Sequence, residues 1–100
     1  MRRGTTPTNT FAVDVDLTGA TVYVSYEQDG KVVIEKTGSD VTVATNALTV
    51  TLTQADTLAF HPGRVCVQIR YVDQLGTADA SNIMETTAER ILKDGEISHV

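Results

Sequence analysis

At 100 residues with 41% hydrophobic side chains, the chain is long enough for a single domain, and folding removes roughly 60 to 68 per cent of the unfolded chain's surface from water. A formal net charge of −5 argues against nucleic acid or an anionic membrane as partner, and a single cysteine, Cys66, excludes an internal disulfide. No span has the apolar length of a membrane helix, and Arg2-Arg3 is followed by Gly4-Thr5-Thr6-Pro7-Thr8-Asn9 where a secretory signal needs an apolar run. Synthesis in the cytoplasm without a signal peptide is the expectation, and the lack of disulfides fits a reducing compartment.

Valine and threonine dominate the β-compatible residues, and both suit a pleated, half-buried surface better than a helix. Residues 1–9 are polar and contain Pro7, which predicts a flexible arm or an edge segment. Phe11, Val13, Val15 and Leu17 then alternate with Ala12, Asp14 and Asp16, the period-two pattern of a strand with one wet face. Val22, Val24 and Tyr26 predict the inward row of a second strand, with Thr21, Tyr23, Ser25 and Glu27 opposite. Asp29-Gly30 between alternating runs is a hairpin signal, and Lys31 to Thr37 is the returning strand. Its register is ambiguous, because Val32, Val33 and Ile34 are consecutive.

Gly38-Ser39-Asp40 turns the chain into a short strand over Val41 to Val43. Thr45-Asn46 turns it again into Leu48, Val50 and Leu52, which alternate with Thr49, Thr51 and Thr53. Thr53 with Asp56 three residues later resembles a capping box in which Asp replaces the usual Glu, predicting one helical turn near residues 54–60 that carries Leu58 and Phe60 inward. Pro62-Gly63 ends that turn. Val65, Val67, Ile69 and Tyr71 predict an inward row, with Cys66, Gln68, Arg70 and Val72 outward. After a turn at Asp73 to Thr77, residues 80–88 read as the last strand, with Ile83 or Met84 inward. Ala88, Ile91 and Leu92 also have helical spacing, so 85–92 has a helical alternative. Lys93 to Val100 is a polar tail.

About seven short strands, no long helix and no repeat predict an all-β fold: an antiparallel β-sandwich of immunoglobulin-like architecture over residues 10–92, between the arm and a tail at 93–100. The buried tryptophan and cysteine pair of antibody domains are absent.

The chemistry-bearing residues are few. His61 precedes a proline in a turn and His99 lies near the end, no serine occupies a glycine-flanked elbow, and Cys66 lies mid-strand rather than at a helix start. No enzyme activity and no cofactor are expected, and Cys66 reads as a small apolar filler. Asp14 and Asp16, two apart on one strand face, have a spacing that can share a calcium ion, but carboxylates on a wet strand face more often keep a sheet soluble. No Cys/His cluster suggests zinc. Tyr23 and the outward row through Gln68 and Arg70 are the residues solubility explains least, since Tyr with Arg is the composition of interface anchors. Arg2, Arg3, Tyr23, Gln68 and Arg70 are therefore the candidate interface residues, and no metal site is expected.

Several stretches carry a resemblance to a known family: Met1-Arg2-Arg3-Gly4-Thr5-Thr6-Pro7-Thr8, Tyr26-Glu27-Gln28-Asp29-Gly30 with the valines after it, Leu52-Thr53-Gln54 with Asp56-Thr57, and Val67-Gln68-Ile69-Arg70. Up to about Leu92 the sequence resembles small structural proteins of phages and prophages of gut Firmicutes, similar to the N-terminal β-sandwich domain of the baseplate upper protein. The resemblance implies a non-catalytic tail or baseplate component of the virion. Its partners would be other tail proteins or further copies of itself, with no nucleic acid and no membrane insertion. The alternative on the same fold is a carbohydrate- or surface-binding module, for which Tyr23 is the best exposed ring.

Overall fold

The computed structural model of the protein describes residues 1–99. Its strands, in chain order, are β1 Thr8–Ala12, β2 Thr21–Gln28, β3 Lys31–Thr37, β4 Val41–Ala44, β5 Ala47–Thr51, β6 Gly63–Val72, β7 Ala78–Ala80 and β8 Met84–Ala88. One short helix, α1 Gln54–Leu58, lies between β5 and β6, and a 3₁₀ turn spans Gly38–Asp40. The strands form two antiparallel sheets. One has the order β1-β5-β4; the other has the order β3-β2-β6-β7, with β8 also pairing with β6.

The chain changes sheet three times: between β1 and β2, between β3 and β4, and through α1 between β5 and β6. In the immunoglobulin convention β1, β5 and β4 take the places of B, E and D, and β3, β2, β6 and the β7–β8 edge those of C′, C, F and G. The fold is thus an immunoglobulin-like sandwich. Among the described residues no strand lies beside β1, where strand A of that convention would run.

Period-two burial makes the core. Val22, Val24 and Tyr26 of β2, Leu48 and Val50 of β5, and Val65, Val67 and Ile69 of β6 meet between the sheets, joined by Leu17, Leu52 and Phe60. The Tyr26 and Phe60 rings lie 6.1 Å apart and tilted by 53°, both buried. The Asp29-Gly30 hairpin forms as expected, both residues having positive φ (53° and 78°), the combination a two-residue type I′ turn requires. The capping box at Thr53 and Asp56 also forms. Thr53 Oγ1 accepts from the Asp56 N–H at 3.1 Å, and Asp56 Oδ2 accepts from the Thr53 N–H at 2.8 Å.

Four local expectations are corrected. The first strand starts earlier and ends earlier than the alternation suggests. After Ala12 and a last ladder bond from the Val13 N–H to Asn46 O, the chain bends where Asp16 Oδ1 accepts the Thr18 N–H at 2.9 Å, a side-chain turn that competes with strand. Leu17 still reaches the core, but Val15 does not. The ambiguous Val32-Val33-Ile34 run resolves as a bulge: Glu27 pairs with Val32 and Tyr26 with Ile34, leaving Val33 as the extra residue. The last predicted strand is two strands out of step by one. Between the Arg70↔Ala80 and Val67↔Met84 pairs, two residues of β6 face the three residues Ser81, Asn82 and Ile83. Ser81 fills the break, its N–H donating to Ile69 O and its Oγ accepting from the Ile69 N–H. This turns Met84 inward and leaves Ile83 exposed. The helical alternative for 85–92 is not taken: β8 runs to Ala88, and Leu92 is exposed.

The N-terminal segment lies along an edge. Met1 N donates to Thr87 O, the Glu89 N–H to Met1 O, and the Arg3 N–H to Glu89 O, a short parallel pairing beyond β8. Thr5 and the fully buried Thr57 exchange bonds, the Thr5 N–H to Thr57 Oγ1 at 3.0 Å and the Thr57 hydroxyl to Thr5 O at 2.8 Å.

Candidate functional site

The outer face of the five-stranded sheet is built from the residues that alternate with the core rows. Register places Tyr23 of β2 opposite Arg70 of β6 and Thr37 of β3, and Ser25 opposite Gln68 and Glu35. Tyr23, Ser25, Glu35 and Arg70 enclose a hollow of about 220 Å³. A second hollow, of about 260 Å³, continues from Ser25 and Arg70 past Gln68 and Cys66 to Val32 and Ile83. Three apolar side chains stand exposed on this face: Tyr23 at 38%, Val32 at 59% and Ile83 at 62%. Among the described residues Arg70 forms no ion pair, so its guanidinium is available to a partner. Gln68 is fixed, its Nε2 donating to Ser81 O at 3.1 Å.

Of the five candidate interface residues, the structure brings Tyr23, Gln68 and Arg70 together and sets Arg2 and Arg3 apart. Arg2 is an exposed side chain 3.9 Å from Glu89. Arg3 is taken up by the fold: Nε donates to Phe60 O at 2.5 Å and Nη2 to Leu58 O at 3.0 Å, satisfying carbonyls at and just beyond the end of α1. Its side chain is mostly buried, and it holds the arm to the sandwich. Val32 and Ile83 were not foreseen as face residues. Both owe their exposure to one-residue bulges, whose signals in the sequence are the unalternating run at 32–34 and the Ile83-Met84 pair.

The remaining chemistry-bearing residues lie away from this face. Asp14 and Asp16 lie beyond the end of β1 rather than side by side on a strand, and the bonds from Thr18 hold the Asp16 carboxyl below its usual range. Among the described residues no group of three His, Cys, Asp or Glu is placed to hold a metal ion. Among the described residues no helix is long and apolar enough to cross a membrane.

His61 has both ring nitrogens engaged, Nδ1 with Pro62 O at 3.0 Å and Nε2 with Asp29 Oδ2 at 2.6 Å. Only the imidazolium can donate to both acceptors, so the Pro62 carbonyl and then the Asp29 carboxylate raise the His61 pKa. The contribution of this contact to stability is complete below the unfolded-state pKa and is lost as pH rises through the folded one. An NMR titration of the His61 ring is therefore expected to give a midpoint above the ordinary value of about 6.5, and Asp29→Asn to lower it part of the way, the Pro62 contact remaining. A midpoint unchanged by Asp29→Asn would show that the pair does not form in solution.

No protein-family model matches the sequence, and no curated protein matches it. Among solved structures, the chain is similar to the V domain of amphioxus IgVJ-C2, with 15% identity, 91% of this chain and 97% of that one covered, and a TM-score of 0.37.

Proposed function

We propose that this protein is a non-catalytic structural component of a phage or prophage tail or baseplate, acting through protein–protein assembly in the virion. The observation that carries the reading is the outer face of the five-stranded sheet. An exposed tyrosine, an unpaired arginine and two exposed aliphatic side chains surround shallow hollows there, and the sandwich needs none of the four for its own core. The sequence resemblance supplies the tail context. A carbohydrate-binding role on the same face would rest on the ring of Tyr23 alone, because Tyr26 is buried and Tyr71 is half-buried against the core.

Co-expression with the products of neighbouring tail genes, followed by co-purification, tests assembly. Tyr23→Ala and Arg70→Glu are each expected to weaken the complex by about 2 kcal/mol or more, the scale of interface anchors, with thermal unfolding little changed. A strictly monomeric protein that captures none of these neighbours would overturn the proposal. Specific binding on a glycan array, abolished by Tyr23→Ala, would replace assembly with carbohydrate recognition.

A further inference from the structure

The two sheets do not close on each other equally along both sides. On the β3–β4 side the chain itself crosses between them, and the remaining gap beside Ala20, Val22, Val41 and Val43 is about 130 Å³. On the opposite side, between β1 and the β7–β8 edge, two grooves of about 340 and 410 Å³ meet at Met84. Their floor is the margin of the core: Phe11, Val13, Tyr71 and Met84 pack against it but remain partly exposed. This is the side on which the fold leaves the place beside β1 empty.

A free strand edge is a template for another strand, and proteins blunt such edges with charge, proline, bulges, short length or a covering segment. Three of the edges here carry such devices. β3 has Lys31, Glu35, Lys36 and the Val33 bulge, and β4 is only four residues long, with Val41 buried. On the third edge, β7 is three residues long and carries Asp79 opposite the inward-facing Tyr71, while Met1–Arg3 covers the end of β8.

β1 lacks the charge, proline and bulge that blunt an edge; its five residues are Thr8-Asn9-Thr10-Phe11-Ala12. The bonds at its two ends, Leu52 N–H to Pro7 O and Val13 N–H to Asn46 O, fix the alternation of the ladder. Asn9 and Phe11 lie in step with these positions and pair toward β5, so Thr8, Thr10 and Ala12 direct their N–H and C=O groups to the open side.

We propose that this open side binds an extended segment of another polypeptide, which adds a strand to β1, sets alternate apolar side chains into the groove over Phe11 and Met84, and places a lysine or arginine by Asp14 and Asp79. Those two carboxylates line the outer groove, and among the described residues neither has a cationic partner. Main-chain bonds supply affinity in this mode of recognition, and the side-chain pockets supply selectivity. A second copy of the chain is a poor occupant, because its own β1 brings no cation to the two carboxylates and each molecule carries a net charge of −5. The site is distinct from the outer sheet face, so its test stands apart from that of the assembly role.

The probe is a soluble peptide of about six residues alternating valine with threonine and carrying one lysine, compared with the same peptide carrying glutamate instead. Titrated into the isotope-labelled protein, the lysine peptide is expected to shift and protect the amides of Thr8, Thr10 and Ala12. Thr10→Pro removes an outward N–H without touching the β5 ladder and is expected to weaken binding by about tenfold or more. Asp79→Lys, at an exposed position, is expected to reverse the preference to the glutamate peptide. The proposal is overturned if millimolar lysine peptide leaves these amides unshifted, or if both variants bind as the parent does. Shifts of the same amides that follow protein concentration without peptide would identify a second copy as the occupant and overturn it equally.

Discussion

Replacing Phe60 by alanine is expected to lower the unfolding free energy by about 3–5 kcal/mol, a large part of the stability of a domain this size. Phe60 is 1% exposed, follows α1, and packs its ring against that of Tyr26. The backbone on both sides of Phe60 is pinned by hydrogen bonds. α1 is held by its capping box and by Arg3, and the next turn is held by the buried Gln28. The Gln28 Oε1 accepts the His61 N–H at 3.0 Å, and its Nε2 donates to His61 O at 2.9 Å and to Arg64 O at 3.3 Å. Urea denaturation followed by circular dichroism measures the loss. A change below about 1 kcal/mol would mean that the ring is not a core residue in solution.

The second large effect is expected at Asp56. Its carboxylate closes the capping box of α1 and also pairs with the Lys36 ammonium of β3 at 2.8 Å, with the two side chains only 19% and 16% exposed. Burial raises the Asp56 pKa, but the bonds from Lys36 and Thr53 outweigh it and hold the carboxyl below the ordinary value. Asp56→Ala leaves the Lys36 cation largely shielded from water without its partner, and is expected to cost roughly 2–4 kcal/mol at neutral pH. Because the folded-state pKa is depressed, the ionised form stabilises the fold above the unfolded-state value of about 4, and this contribution is lost as pH falls through the folded one. The stability difference between parent and Asp56→Asn should therefore be full at pH 7 and shrink steadily in acid. A difference independent of pH would show that the ion pair contributes nothing.

The sequence exposes the architecture because nearly every strand keeps a clean period of two. Val22-Val24-Tyr26, Leu48-Val50-Leu52 and Val65-Val67-Ile69 occupy the core as their alternation predicts. Asp29-Gly30 and Thr53 with Asp56 were legible because backbone conformation and short-range bonds specify them locally. Where a residue is inserted into one strand and not its neighbour, alternation misleads. The bulges at Val33 and at 81–83 depend on pairing partners far away in the chain, and single-sequence periodicity does not contain them. The structural role of Arg3 was not legible for the same reason: the carbonyls of Leu58 and Phe60 that it serves are more than fifty residues distant. The grouping of Tyr23 with Arg70 was half legible. Each reads as outward-facing, but only the β2–β6 register makes them neighbours.

The two bulges have a joint effect on the surface between them. One extra residue on β3 and one on the β7–β8 edge flank the continuous pair β2 and β6, and each adds right-handed twist to its side of the sheet. The two flanks of the five-stranded sheet are consequently expected to twist more strongly than the β2–β6 pair between them.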